Sequence, residues 1–146
     1  MTNKKKLSFI IGTRPEAIKM APVIREFSCI DEFEIKIINT GQHREMVRSI
    51  LDLFEIEESI NLDIMKQKQS LTYITTSVLK KLDEEFQTNH NDMIFVQGDT
   101  SSAFSGALSS FYNKIPIAHI EAGLRTESLY NPFPEEANRR LLSQIA

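Results

Sequence analysis

Short apolar runs alternate along the chain with longer stretches in which apolar residues recur every three or four positions. Runs of strand length lie at 7–11, 35–39, 60–64, 93–96 and 115–120. Helical periodicity follows at 15–29, 46–54, 70–86 and 100–111. Alternation of apolar strands with helices predicts right-handed βαβ crossovers and a parallel sheet covered on both faces. The predicted fold class is therefore α/β and doubly wound.

Individual residues predict where several helices begin and end. Pro15 suits the first position of the first helix, whereas Pro22 removes a backbone donor and predicts that this helix is kinked or split. Ser70 is the expected N-cap of the third helix. The buried stripe expected on that helix consists of Leu71, Ile74, Val78, Leu82 and Phe86. A last helix is expected from Glu135 to Ala146, with no Gly, Asn or Pro to end it.

The composition is that of a folded domain, with 41% hydrophobic and 25% charged residues among 146, which excludes intrinsic disorder. The apolar runs are too short for a membrane helix or a signal peptide, so a soluble, cytoplasmic protein is expected. The net charge of −3 argues against nucleic-acid binding but is compatible with a local basic pocket for an anionic small molecule. The single cysteine, Cys29, permits no intrachain disulfide and is expected to pack within an apolar helical stretch.

Polar residues follow the predicted strands at their carboxyl ends, where ligands bind in sheets of this kind. After the first strand, Gly12 is followed by Arg14 and Lys19. Their cationic groups, with the N–H groups of the helix N-terminus, would suit a phosphate or diphosphate. The stretch matches neither a G-x-G-x-x-G pattern nor a P-loop, so neither a nicotinamide cofactor nor phosphoryl transfer from ATP is indicated. The alternative is a simple turn with solvated cations.

Two further strand ends carry candidate groups. Gln42, His43 and Arg44 follow the second strand and would suit a sugar or a phosphate, unless they are only the exposed polar start of a helix. Asp99 follows the fourth strand, where Gly98 allows a sharp turn that places the carboxylate at the mouth of the sheet. Asp99 is therefore either a functional carboxylate or the N-cap of the next helix.

Three carboxylates are expected to converge on one crevice. Asp99 and Glu121 lie at adjacent strand ends, and Glu135 opens the last helix. Together with Arg139 and the cations of the first helix, they suit an enzyme that moves protons on an anionic substrate. Crowding of like charges is one way to raise the pKa of such a carboxylate. The alternative is a salt-bridged surface helix of Glu135, Glu136, Arg139 and Arg140, in which Glu135 and Arg139 have the i,i+4 spacing of an exposed pair.

Several segments closely resemble the non-hydrolysing UDP-N-acetylglucosamine 2-epimerases, in order and at the expected spacing over essentially the whole chain. They are Gly12–Pro22 (GTRPEAIKMAP), Thr40–Met46 (TGQHREM), Val96–Thr100 (VQGDT), His119–Arg125 (HIEAGLR) and Pro134–Arg139 (PEEANR). Pro15 and Glu16 favour this branch over the hydrolysing relatives, in which an Ala-Asp pair usually stands there.

The resemblance implies that residues 1–146 are the N-terminal, Rossmann-like half of a glycosyltransferase-B-like two-domain fold, without the C-terminal nucleotide-binding domain. It implies interconversion of UDP-N-acetylglucosamine and UDP-N-acetylmannosamine by elimination and re-addition of UDP through 2-acetamidoglucal. It implies no cofactor and no metal, and a homodimer of the full-length protein in the biosynthesis of cell-surface polysaccharides. This chain alone is then expected to be an inactive half, and an uncapped last helix would agree with a chain that continues.

The resemblance also assigns roles to residues by motif position. Asp99, Glu121 and Glu135 match the family's catalytic carboxylates, and its substrate-binding cations are matched by Arg14, Lys19 and Arg139. Gln42, His43 and Gln69 match possible contacts of an allosteric element, although Ser49 stands where that element has a second Gln. Two other functions stay open: a hydrolysing epimerase that releases UDP and N-acetylmannosamine, and a non-catalytic domain that binds a nucleotide sugar.

Overall fold

The computed structural model describes residues 3–146 and contains a single parallel sheet with flanking helices. The strands are β1 (Lys5–Ile11), β2 (Phe33–Asn39), β3 (Ile60–Asn61), β4 (Met93–Gln97) and β5 (Ile117–Ile120). The helices are α1 (Arg14–Ser28), α2 (Arg44–Leu53), α3 (Leu71–Thr88), α4 (Ser101–Tyr112) and α5 (Glu135–Leu142). Among these residues, no helix combines the length and the apolar character that crossing a bilayer requires.

The order of the strands places a crevice near the middle of the sheet. Neighbouring strands run β3-β2-β1-β4-β5, and every pair is parallel. The chain adds β2 and β3 on one side of β1 and then returns to add β4 and β5 on the other. The carboxyl ends of β1 and β4 therefore form a topological switch point, which is where open α/β sheets bind their ligands.

Successive side chains of the central strands enter two separate cores. Phe9, Ile11 and Phe95 pack with α1 and α2 on one face, and the rings of Phe9 and Phe95 stack with their centroids 4.4 Å apart. Ile10 and Ile94 pack with α3, α4 and α5 on the other face. Both faces are thus covered, and the predicted doubly wound α/β class is confirmed.

For the first helix, the expected split at Pro22 and the expected packing of Cys29 in the core are both wrong. Pro22 does not split α1, which runs unbroken from Arg14 to Ser28. The ring of Pro22 lies on the exposed side, while Met20 and Ile24 on the other side are buried against the sheet. Packing of that apolar side stabilises the helix although one backbone donor is missing. Cys29 follows the end of α1 and is exposed, so it does not pack in the core.

The third helix largely matches its prediction, but the last one ends early. Ser70 caps α3 by accepting a hydrogen bond from the backbone N–H of Tyr73 at 3.0 Å, and the stripe is buried except for Leu71, which is 41% exposed in the first turn. The last helix, α5, ends at Leu142 rather than at Ala146, because the chain closes there in tighter turns.

Candidate active site

Turns at the ends of β4 and β5 bring Asp99 and Glu121 to one edge of the sheet. Pairing of the two strands extends to Gln97 and Ile120, one or two residues before the carboxylates. Gly98 has a φ of +72°, which an L side chain rarely adopts, and its N–H donates to the carbonyl of Ile120 at 2.9 Å. Glu121 also lies in the left-handed region, at a φ of +59°. Such strained backbone is often found at functional sites.

The guanidinium of Arg139 joins these two turns. Its Nη2 donates to Oδ2 of Asp99 at 2.6 Å, and its Nη1 donates to the backbone carbonyl of Glu121. The side chain of Arg139 is only 5% exposed. The alternative of a surface pair between Glu135 and Arg139 is therefore wrong. The i,i+4 ion pair within α5 joins Glu136 and Arg140 instead, at 2.6 Å.

Asp99 does not cap the helix that follows it. That position belongs to Thr100, whose hydroxyl accepts from the N–H of Ala103 at 2.9 Å. The carboxylate of Asp99 is thus free of a capping role and faces Arg139, so the N-cap alternative is wrong for this residue.

Glu121 is held as an anion by Lys19. The Nζ of Lys19 donates to Oε2 of Glu121 at 2.6 Å, and Nε2 of Gln97 donates to the same oxygen. The hydrogen bond from Lys19 is the main reason that the pKa of Glu121 lies below its ordinary value, with Arg139 acting in the same direction. The expectation that crowded carboxylates raise the pKa is wrong for Glu121, because the hydrogen bond from Lys19 and the nearby cations outweigh the effect of burial.

Glu135 and Arg14 lie outside this network. Glu135 opens α5, and its Oε2 is buried with no hydrogen-bond partner among residues 3–146. Arg14 is exposed at the start of α1 and forms no ion pair within the same residues. Hydrogen bonds therefore join Lys19, Asp99, Glu121 and Arg139, and within residues 3–146 neither Glu135 nor Arg14 forms an ion pair with them.

The N-terminus of α1 is closed by a carboxylate of its own chain. Oε2 of Glu16 accepts from the backbone N–H groups of Gly12 and Thr13 at 3.0 and 2.6 Å, so these two donors are not free for a phosphate. Burial raises the pKa of Glu16, and hydrogen bonds from Thr100, Thr13 and Gly12 offset part of that increase. Glu16 is not among the residues predicted from the sequence, although Thr13-x-x-Glu16 has the spacing of a capping box.

Two further residues that the sequence analysis missed hold the turn of Asp99. Nε2 of His119 donates to the carbonyl of Gly98 at 2.7 Å, and burial lowers the pKa of this imidazole. Nδ2 of Asn138 donates to the carbonyl of Asp99 at 2.9 Å. Both side chains bind backbone groups that are distant in sequence, and no local pattern reports such contacts.

A second pocket, of about 590 Å³, lies beside the carboxyl end of β2. Gln42, His43 and Gln69 line it, and Nε2 of Gln69 donates to the carbonyl of Gln42 at 3.1 Å. The structure thus brings the three predicted allosteric residues together. The alternative of a solvated polar helix start applies to Arg44, which is exposed and pairs with Asp63 at 3.1 Å.

Known proteins are similar to this chain in sequence and in fold. The family model described as UDP-N-acetylglucosamine 2-epimerase matches residues 25–146. The UDP-N-acetylglucosamine 2-epimerase of Salmonella borreze is 53% identical over 141 residues, which is 97% of this chain and 37% of that relative. The crystal structure of UDP-GlcNAc 2-epimerase from Neisseria meningitidis bound to UDP-GlcNAc is 50% identical and has a TM-score of 0.93, over 97% of this chain and 38% of that one.

A second solved structure is also similar to this chain. The UDP-GlcNAc 2-epimerase of Methanocaldococcus jannaschii, in complex with UDP-GlcNAc and UDP, has a TM-score of 0.89 at 34% identity, over 97% of this chain and 38% of that one. The chain thus spans less than half the length of the relatives that it matches. The resemblance first recognised in five short motifs extends over nearly all of the chain in both sequence and structure. The chain therefore belongs to the UDP-N-acetylglucosamine 2-epimerase family.

Proposed function

We propose that this chain forms one wall of the active site of an enzyme that interconverts UDP-N-acetylglucosamine and UDP-N-acetylmannosamine. The observation that carries the proposal is the network of Lys19, Glu121, Arg139 and Asp99 at the switch point of the sheet. It places two carboxylates and two cations at one edge, where a substrate with an anionic diphosphate and a weakly acidic C–H would need them.

The chemistry begins with removal of the proton at C2 of the sugar by a carboxylate. The C1–O bond to UDP breaks, the electron pair leaves with UDP, and a C1–C2 double bond forms in 2-acetamidoglucal. Re-addition of a diphosphate oxygen to C1 and delivery of a proton to the opposite face of C2 give the epimer, with no net oxidation. This sequence needs acid/base groups on both faces of the ring.

Individual residues of this chain are suited to individual steps of this reaction. Glu121, ionised beside Lys19, is suited to accept a proton, and Asp99 and Glu135 are the other candidates for proton transfer. Glu135 has a buried carboxylate oxygen that no group within residues 3–146 engages, so this oxygen has unused hydrogen-bonding capacity. The exposed cation Arg14, together with Lys19, would stabilise the negative charge that develops on the departing diphosphate.

The remainder of a full-length protein would supply the opposite wall. Relatives are more than twice as long as this chain, so we propose that the 146 residues alone bind the nucleotide sugar weakly and do not turn it over. The second pocket, with Gln42, His43 and Gln69, is the place in this chain where an allosteric ligand would bind. Action in the cytoplasm as a homodimer remains part of the proposal.

A chimera tests this function. The present chain replaces the matching 141 residues of the Salmonella borreze relative, and the product is incubated with UDP-N-acetylglucosamine in heavy water. We expect UDP-N-acetylmannosamine with deuterium at C2. Accumulation of UDP and free N-acetylmannosamine would show the hydrolysing reaction instead, and intact substrate with calorimetric binding would show a binding domain. The unaltered relative serves as the positive control.

A further inference from the structure

The carboxylate of Glu16 connects two turns of the candidate active site. The residue is fully buried, and its Oε2 accepts three hydrogen bonds from Gly12 and Thr13 at the start of α1. Its Oε1 accepts a fourth, from the hydroxyl of Thr100 at 2.7 Å, across 84 positions of sequence. Glu16 forms no ion pair with a cation within residues 3–146.

Helix capping accounts for only part of this arrangement. A capping box needs the bonds between Glu16 and the residues that precede α1, and those use a single carboxylate oxygen. The bond to Thr100 satisfies no orphan group of α1. It joins α1, which carries Arg14 and Lys19, to the start of α4, directly after Asp99.

The turn of Asp99 is held mainly by residues on the side of the sheet away from β1. Asn138 binds the carbonyl of Asp99, Arg139 binds its carboxylate, and His119 binds the carbonyl of Gly98. All three lie on β5 or α5. The hydroxyl of Thr100 connects the same turn to the β1 side.

We propose that Glu16 is a positioning residue that acts through Thr100 and fixes Asp99 relative to the cations of α1. Glu16 itself is buried and does not touch the substrate. Its effect on the reaction is to keep the spacing between the carboxylate of Asp99 and the cations of Arg14 and Lys19. The inference rests on the proposed epimerase function, because the spacing matters only if these groups act on one substrate.

Close packing prevents the turn at Gly12 and the start of α4 from approaching each other any further. A Cβ built at Gly12 would overlap Oγ of Ser102 and lie 2.5 Å from its Cβ, so α4 and the first turn are already in contact there. Loss of the bond between Glu16 and Thr100 therefore cannot be compensated by closer approach. We expect the turn of Asp99 to rotate or widen instead.

The test compares Thr100→Val with Thr100→Ser in the chimera. Valine removes the hydroxyl and serine keeps it. We expect Thr100→Val to lower kcat by about 10- to 100-fold, because small misplacements of reacting groups have effects of this size. KM should change by less than about threefold, since the hydroxyl of Thr100 is engaged by Glu16 and by the N–H of Ala103. Thr100→Ser should restore kcat to within about threefold of the parent.

Two further variants separate positioning from stability. Val78→Ala creates a cavity in the apolar core under α3, a cluster that contains none of the charged site residues, and should lower Tm as much as Thr100→Val does while kcat stays at the parent value. Glu16→Ala should lower kcat as Thr100→Val does. Glu16→Gln should keep most of the parent kcat, because the amide oxygen can accept from Gly12 and the amide nitrogen can donate to Thr100. If Thr100→Val or Glu16→Ala kept the parent kcat at a lowered Tm, the link would be structural only and the inference would be wrong.

A readout without turnover distinguishes this inference from the proposed function. In the 146-residue chain, Glu16→Ala should shift the amide resonances of Asp99 and Thr100, whereas Val78→Ala should leave them in place. An inactive parent chimera would contradict the proposed function. Unmoved resonances in Glu16→Ala would contradict the link whether or not the chimera is active.

Discussion

The Nζ atom of Lys19 lies 2.6 Å from Oε2 of Glu121, although 102 positions separate the two residues. The pair connects α1 with the end of β5, across the carboxyl ends of β1 and β4. A base beside an ammonium group stays ionised at a lower pH than an isolated carboxylate does. The pair thus keeps the carboxylate of Glu121 ionised and able to accept a proton, at the expense of some basicity.

Replacement of Lys19 should move the pH dependence of the reaction. In Lys19→Met, the pKa of Glu121 is expected to rise, because the hydrogen bond and charge that lower it are gone. The acid limb of kcat/KM, measured in the chimera, should then move to higher pH, with the greatest loss of activity in mild acid. Lys5→Met, which removes a cation at the opposite end of the sheet, should leave the limb unmoved. An acid limb unchanged in Lys19→Met would mean that Glu121 is not the group that titrates.

Arg139 should contribute to stability as well as to the site. Arg139→Met leaves the carboxylate of Asp99 and the carbonyl of Glu121 without their shared donor, and because Asp99 is partly exposed the loss should cost about 1–3 kcal/mol. Arg44→Met breaks an exposed pair with Asp63 and should cost about 0.5 kcal/mol or less. Urea unfolding of the 146-residue chain measures both, and equal losses would contradict the bridging role of Arg139.

The sequence predicts those features that depend on local periodicity. The stripe of α3 from Ile74 to Phe86 is buried as expected, because a 3.6-residue period identifies a face without reference to the partner. The strand ends that carry Asp99 and Glu121 follow from the alternation of strands and helices. The parallel topology then brings these ends together without further information.

The sequence does not predict which of two possible ion-pair partners a charged side chain binds. Arg139 has the spacing for a local pair with Glu135, but the position of α5 against the sheet gives it Asp99 instead. The effect of Pro22 also depends on tertiary contacts, since burial on the opposite side of α1 keeps that helix whole. Choices of this kind depend on where elements pack, which local patterns do not encode.

Asp92 should make the stability of the chain depend on acid pH. Its carboxylate accepts from the backbone N–H of Lys6 at 2.8 Å and from Nζ of Lys5 at 3.1 Å, and these bonds lower its pKa from 3.8 to about 2. Because folding lowers the pKa of Asp92, the carboxylate stabilises the fold at pH values above its ordinary pKa of 3.8. This contribution is lost as the pH falls towards 2. Asp92→Asn should therefore have a lower Tm than the parent at neutral pH, and the difference should vanish between pH 3.8 and about 2.

Thermal unfolding at several pH values tests this contribution. Asp31→Asn, at an exposed position, is the matched control and should follow the parent at every pH. A difference between Asp92→Asn and the parent that stays constant down to pH 2 would contradict the assignment.

Gly12 is required by close contact rather than by backbone conformation. A methyl group there would overlap Oγ of Ser102 and lie 2.7 Å from Oγ1 of Thr40, so Gly12→Ala should destabilise the chain by about 1–3 kcal/mol. Gly123→Ala places the same group where nothing lies within 4 Å and should change stability by about 0.5 kcal/mol or less. In the Gly12→Ala background, Ser102→Gly should recover part of the loss, whereas Ser102→Ala should not, because it keeps the Cβ. A double-mutant cycle of urea unfolding measures this coupling, and full additivity would show that Ser102 is not the residue that excludes a side chain at position 12.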